Sequence, residues 1–312
     1  MKESQIVLFD DVLSSFLEDK RTRSRYSTYI GYECVIRNHI TPFFSGRNIR
    51  DIKPLTVREW QNELISLGLS PMYIRRIDTC LVSIFNWACR FWELPSNPAT
   101  LAGSIGTSFS HRIDFWTLAE FRRFIGGVAD PRVRLAFELL YWTGMRVGEL
   151  LALTPADVNA RRCELTISKS YRRYHKSDLI TKPKTRKSER TVTLNTSLMR
   201  ELSSFLRSDR SLKPNSRIFP FTSNRLFYRM KVTCRATGVK KIRIHDLRHS
   251  HASLLIEMNV TPLLICERLG HEKVETTLNI YSHLYPNKQK QLSDKLEDLF
   301  TGEAKDTRKN RF

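Results

Sequence analysis

The sequence predicts a mainly α-helical chain with one small antiparallel β-sheet, divided into two domains. Three observations predict it. Apolar residues recur at helical spacing through residues 7–93. A stretch of turn formers without periodicity follows. Only between 163 and 194 does the pattern shorten to the two-residue alternation of strands. The expected boundaries are a helical bundle over 1–98, a linker over 99–115, an α+β domain over 116–300 and a flexible tail over 301–312.

Taken in order, Val7, Leu8, Val12, Leu13, Phe16 and Leu17 mark the first helix. Thr56-Val-Arg-Glu59 reads as a capping box opening a helix with Trp60, Leu64 and Leu67, and Gly68 lies just past its end. Pro71 suits the first turn of the next helix, which carries Ile74, Ile77, Leu81, Ile84, Phe85, Ala88 and Cys89 on one side. Turn formers from Pro95 to Ser110 mark the linker. Thr117-Leu-Ala-Glu120 is a second capping box and starts the second domain. Helices follow through 121–142. Cys163–Ile167, Leu179–Thr181 and Arg190–Leu194 read as three strands of one sheet. Helices resume near 196–207, 222–237, 245–258, 262–269 and 288–300.

Composition narrows the function. The 312 residues are 41% hydrophobic and 27% charged, which excludes a disordered chain, and no apolar run is long enough to span a bilayer. The N-terminus carries no secretory signal. The six cysteines are scattered without a C-x-x-C pair and read as reduced, mostly buried thiols. Net charge is +20 and uneven: residues 1–100 hold 13 basic and 11 acidic residues, the remainder 39 and 21. A polyanion, above all nucleic acid, is the expected partner. A basic surface kept for solubility and an anionic membrane are the weaker readings.

Four segments carry candidate chemistry. In Thr143-Gly-Met-Arg146-Val-Gly-Glu149, Arg146 lies between two apolar runs with Gly144 and Gly148 beside it, so its planar fork can meet two oxygens of an anion; equally, it can pair with Glu149 and only tie two helices. Between Lys169 and Arg190 stand nine Lys/Arg and two acidic residues, a basic hairpin suited to a nucleic-acid groove or left as a solvated loop. His245-Asp-Leu-Arg248-His249-Ser-His251 puts His245 beside Arg248 on a helix face. Zinc held by His245, His249 and His271 is an alternative there, as is ordinary hydrogen bonding in the core. Leu269-Gly270-His271 ends a helix, and Tyr281 follows; the residues alone do not select Tyr281 over Tyr285, Tyr171 or Tyr174.

Together, TGMRVGELLAL, KPKTRKSERTV, HDLRHSHA and LGHEKVETTLNIYSH resemble, in order and spacing, the tyrosine recombinases of the phage lambda integrase family. The resemblance covers nearly the whole chain, with 7–97 similar to the family's core-DNA-binding domain and 117–285 to its catalytic domain. It is closest in texture to integrases of phages and integrative mobile elements. It implies Arg146, Lys184, His245, Arg248, His271 and Tyr281 as catalytic residues and Glu149 as their support. Lys182 and Lys187 share the loop with Lys184, which the K-T pattern ahead of S-x-R favours. It further implies DNA contacts from Lys169, Arg172, Arg173, Lys182, Arg186, Lys187 and Arg190.

The chemistry so implied is transesterification. Tyr281 attacks a DNA phosphodiester, leaving a 3′-phosphotyrosyl link and a free 5′-hydroxyl, and a second 5′-hydroxyl then displaces the tyrosine. Bond energy is conserved, so no ATP is needed, and cationic side chains neutralise the charge, so no metal or other cofactor is expected. The resemblance also implies double-stranded DNA at attachment or core sites, a homotetramer on two DNA sites joined through helix 289–300, and an accessory excisionase or DNA-bending protein. The expected location is cytoplasmic, at the nucleoid. The chain is expected to start at the core-binding domain, the family's arm-site domain being either lacking from the protein or omitted ahead of residue 1. Competing readings are a catalytically silent DNA-binding protein and a type IB topoisomerase.

Overall fold

The computed structural model describes residues 6–107, 114–174, 177–182, 188–272, 274–275, 293–294, 296–297 and 299–301. They fall in two compact units, Met1–Arg112 and Ile113–Phe312, each with its own hydrophobic core. The chain is mainly helical with small antiparallel sheets in the second unit.

The first unit runs α1 (Phe9–Arg23), α2 (Tyr26–Val35), a π-helical turn Ile36–Ile40, α3 (Thr41–Phe44), α4 (Pro54–Ser66), α5 (Pro71–Phe91) and α6 (Pro98–Ala102). Phe44 is fully buried, with ring centroids 5.3 Å from Phe9, 5.6 Å from Trp60 and 6.3 Å from Phe85. Truncating such a ring costs about 3–5 kcal/mol. The indole N–H groups of Trp87 and Trp92 both donate to the Ser15 hydroxyl, at 2.9 and 3.0 Å, which fastens the end of α5 to α1.

Two expectations change here. Thr56 is not the N-cap of α4: the helix begins at Pro54, and the Thr56 hydroxyl reaches back to accept the Lys53 N–H. Proline at the first position extends the helix one turn before the motif. The stretch expected to be linker from residue 99 instead opens with α6, capped by Asn97, whose Ala99 and Ala102 are buried in the first core. Beyond it, Gly103 O accepts from the Gln61 amide, and Thr107 N–H donates to Pro71 O. Small side chains that read as unstructured are there because the chain passes close to other backbone.

The second unit runs α7 (Leu118–Gly126), α8 (Pro131–Thr143), α9 (Val147–Ala152), β1 (Val158–Asn159), β2 (Glu164–Ile167), β3 (Ser170–Tyr174), β4 (Ser177–Thr181), β5 (Arg190–Thr193), α10 (Thr196–Ser208), α11 (Ser223–Thr237), α12 (Asp246–Glu257) and α13 (Pro262–Leu269). The Thr117/Glu120 capping box is formed, with Thr117 N–H donating to the Glu120 carboxylate and Glu120 N–H to the Thr117 hydroxyl. Instead of one sheet there are two: β1-β2-β5, and the separate hairpin β3-β4. Leu165 pairs with Val192 and both are buried, as the alternation predicts. β3 escaped the sequence reading because only Tyr171 of Ser170–Tyr174 is buried, so no apolar alternation marks it.

The six cysteines are free thiols, but only Cys80, Cys234 and Cys266 are buried, and Cys34 is exposed. Among the described residues, no helix is long and apolar enough to cross a membrane.

Candidate active site

Three helix ends build the site. α8 stops at Gly144, whose φ of 65° is the left-handed conformation glycine favours. The Thr143 hydroxyl pins the turn, donating to Leu139 O at 2.6 Å and accepting Met145 N–H at 3.2 Å. Arg146 then caps α9. Its N–H donates to Glu149 Oε2 at 2.9 Å and its Nη1 to Glu149 Oε1 at 2.8 Å.

α12 supplies the second part. The Asp246 carboxylate takes the Arg243 N–H and guanidinium at 2.8–3.1 Å, which fixes the start of the helix. His245 immediately precedes it, and Arg248 lies in its first turn. The Arg248 side chain is 3% exposed and its Nη1 donates to Gly144 O at 2.9 Å. The Ser250 hydroxyl donates to Asp246 O and accepts the Trp116 N–H, which ties the helix into the unit.

α13 supplies the third. It ends at Gly270, again left-handed, and the His271 N–H closes the turn on Cys266 O at 3.0 Å. His271 therefore projects from just past a helix end.

These parts are electrostatically coupled. Burial, then the Arg248 and Arg146 guanidiniums, push the His271 imidazole down to about 3. The same three causes, in the same order, lower His245, although its side chain remains exposed. His249, its ring 5.3 Å from that of His245, is pushed to about 4 by burial and then by His245. Burial alone would raise the Glu149 carboxyl, but Arg190 and Arg146 outweigh it and hold it below its ordinary value. The result is a carboxylate held between Arg146 and Arg190, with Arg248 and the lowered imidazoles of His245 and His271 alongside, an arrangement that binds an anion and presents fixed donors to it.

Of the residues expected from the sequence, Arg146, Glu149, His245, Arg248 and His271 are brought together. Lys184, Arg186, Lys187 and Tyr281 lie outside the described residues. Arg172, Arg173 and Lys182 are exposed on or beside the β3-β4 hairpin. Gly148 sets that hairpin against α9, since a Cβ there would lie 2.6 Å from Ser170 Oγ and 3.0 Å from Tyr171 O. Lys169 is bound to Asp157 at 2.8 Å and to the Thr154 hydroxyl at 3.2 Å.

Arg190 corrects an expectation. Rather than facing DNA, its side chain is 7% exposed and bonds Glu149 Oε2 at 3.0 Å, Arg268 O at 2.9 Å and Ser188 O at 3.2 Å. The strand period explains it: Arg190 shares the inward face with Val192 and pairs with Ile167. Tyr171 is also committed elsewhere, its hydroxyl donating to Asp178 at 2.8 Å beneath the Arg217 guanidinium. Sequence reasoning missed His251 and Arg268, which join these parts from below. Among the described residues, no group of three His, Cys, Asp or Glu side chains is arranged to hold a metal ion.

Comparison with known proteins bears on the family and the fold. Residues 120–288 match the Phage integrase family and residues 8–65 the Phage integrase N-terminal SAM-like domain. The ICEBs1 integrase of Bacillus subtilis is 32% identical over 96% of this chain and 85% of its own. A XerC-like tyrosine recombinase of Caldanaerobacter subterraneus is 29% identical over 95% and 84%. In fold, the Tn1549 transposon integrase, solved with a circular intermediate DNA, superposes with a TM-score of 0.80 at 18% identity over 93% of this chain and 99% of its own. A lambda integrase dimer bound to a core site superposes at 0.68, also at 18% identity, over 88% and 77%. The chain belongs to the phage integrase family and is a tyrosine recombinase of the type that integrates and excises mobile elements.

Proposed function

We propose that this recombinase cleaves and rejoins double-stranded DNA at attachment sites with Tyr281 as nucleophile. Its phenolic oxygen attacks the scissile phosphorus, the bond to the 5′-oxygen breaks, and a 3′-phosphotyrosyl ester remains. Arg146 and Arg248 clamp the non-bridging oxygens as negative charge develops, and His271 adds a donor. His245 contacts the phosphate or accepts the tyrosine proton, and Lys184 protonates the departing 5′-oxygen. Glu149 holds Arg146 and does not react.

The observation that supports this reading best is the convergence of Arg146 and Arg248 on one turn, at Gly144–Arg146, with His245 and His271 in their field. Exposed Arg172, Arg173 and Lys182 would meet the DNA backbone, with Lys169 contributing less because Asp157 neutralises it. The DNA-bound structures of relatives support DNA as the partner. A homotetramer on two sites, joined through the segment 289–300, and an accessory excisionase or DNA-bending protein complete the proposal. The protein acts in the cytoplasm, at the nucleoid.

A nicked suicide duplex, which loses its 5′-hydroxyl fragment on cleavage, tests the reading. Wild type becomes covalently trapped and Tyr281→Phe does not. Trapping by Tyr281→Phe overturns the nucleophile, and failure of wild type on its own attachment DNA overturns the reaction.

A further inference from the structure

Arg268 has no task in that chemistry, yet it is held as firmly as any residue of the site. Its Nε donates to His251 Nε2 at 3.0 Å, its Nη2 to Trp142 O at 3.1 Å, and both terminal nitrogens to Thr193 O at 3.3 Å. One guanidinium thus joins the end of α8, the end of β5 and the middle of α12. Among the described residues no carboxylate lies within ion-pairing distance of it, and Arg190 sits beside it, so burying this cation brings no charge compensation. A plain cross-brace would not require a buried positive charge next to a second arginine, Arg190.

The two ends of the residue lead to the two phosphate-binding arginines. Through its side chain, Arg268 fixes His251, whose ring packs on Gly144 so closely that a Cβ there would lie 2.7 Å from His251 Cδ2. Gly144 O in turn receives Arg248. Through its carbonyl, Arg268 receives the Arg190 Nε, and Arg190 holds Glu149, which holds Arg146. Three residues further on stands His271.

We propose that Arg268, acting through His251, is a positioning residue that sets the spacing of Arg146 and Arg248 for the transferring phosphate. The Arg268–His251 bond works in one protonation state only. Arg268 can only donate, so His251 Nε2 must be the bare nitrogen and the proton must sit on Nδ1, which faces the Tyr141 carbonyl without closing a hydrogen bond of normal geometry. A protonated His251 would set two donors and two cations against each other. Burial and then Arg268 keep it neutral, pushing it down to about 3.

This inference rests on the proposed transesterification, and the experiment separates the two. Single-turnover trapping on the nicked duplex is compared with affinity for the intact duplex and with Tm, for wild type, Arg268→Met, Arg268→Lys, His251→Leu and His251→Gln. Glutamine keeps an acceptor where His251 Nε2 stands, and leucine does not. Arg268→Met, Arg268→Lys and His251→Leu should slow trapping about tenfold or more with DNA affinity held within about twofold, because a displacement near 1 Å is enough for such a loss. His251→Gln should recover to within about threefold of wild type. Equal rates for His251→Leu and His251→Gln, or a loss that falls in full on DNA affinity, overturns the proposal. Should wild type form no adduct, the function fails and the positioning is judged from imidazole ¹⁵N shifts instead. The Nδ1–H tautomer of His251, lost in Arg268→Met, is expected, and the Nε2–H tautomer in wild type overturns it.

Discussion

Arg248 crosses 104 positions of sequence to donate a hydrogen bond to the carbonyl of Gly144. The carbonyl is accessible because Gly144 turns the chain with a positive φ, and the turn is compact because His251 and Leu269 press on the missing side chain. One glycine therefore decides where both Arg146 and Arg248 stand.

Gly144→Ala tests that relationship. The left-handed conformation costs a Cβ-bearing residue about 1–2 kcal/mol, and forcing a methyl to within 2.6 Å of Leu269 and 2.7 Å of the His251 ring adds overpacking strain. A destabilisation of about 2–4 kcal/mol is expected in urea unfolding. Trapping should also slow more than stability loss explains under conditions where the variant is fully folded. A midpoint unchanged from wild type would show that the turn tolerates a side chain.

Glu149→Gln tests the carboxylate between Arg146 and Arg190. The group is 3% exposed and its pKa is depressed in the folded protein, so its contribution is complete above the ordinary carboxyl value and is lost as pH falls through the lower folded value. Removing the charge leaves Arg190 buried without a counter-ion, a loss of about 2–4 kcal/mol at pH 7 once the partial exposure of Arg146 is discounted. The deficit should narrow in acid, because wild type then loses the same charge. Parallel stability curves for the two proteins from pH 7 to pH 3 would contradict the assignment.

His251 gives a second acid limb. Its folded pKa is lowered to about 3 while the unfolded chain titrates near 6.5, so the unfolded state binds the extra proton between those values. Stability from this group is complete above pH 6.5 and falls by about 1.4 kcal/mol for each pH unit below it. His249 and His271, lowered to about 4 and 3, act in the same direction. Between pH 7.5 and 5, His251→Gln should therefore lose less stability than wild type, as read from denaturant midpoints. A variant that loses as much as wild type over that range would refute the neutral buried imidazole.

What was legible in the sequence divides by the range of the interaction. Helices announced themselves through apolar spacing and local caps, as with Thr117 and Glu120 or Pro71. Thr56 was misassigned by one turn because its motif is as well satisfied at the third helical position as at the cap. Strand β3, the first arm of the β3-β4 hairpin, was invisible because only Tyr171 of its residues is buried, so arginine and tyrosine replace apolar alternation. The inward face of Arg190 was written in the alternation with Val192, but its charge spoke for the surface. Arg268 carries no local signal, and His251, though inside the HDLRHSHA segment, gives no hint of its partner: their contacts lie on other elements and only the closed fold brings them together. The choice of Tyr281 among the tyrosines came from family resemblance, since spacing alone could not make it.

The two arginines of the site also separate binding from chemistry. Arg146 and Arg248 are few among 52 basic residues, so general DNA affinity rests mainly on other phosphate contacts. Arg146→Lys keeps one positive charge at the turn but loses the planar fork that meets Glu149 and a phosphate together. The expected outcome is a trapping rate lower by about a hundredfold with little change in affinity at a fixed salt concentration. Raising salt should instead weaken binding of wild type and variant alike, with equal slopes of log K against log salt, because neither slope depends on the transition-state contact. A chelator should leave wild-type trapping intact, since the developing charge is met by guanidiniums. A variant whose loss lies in affinity, or an activity abolished by chelation and restored by a divalent cation, would move the charge-neutralising role away from Arg146.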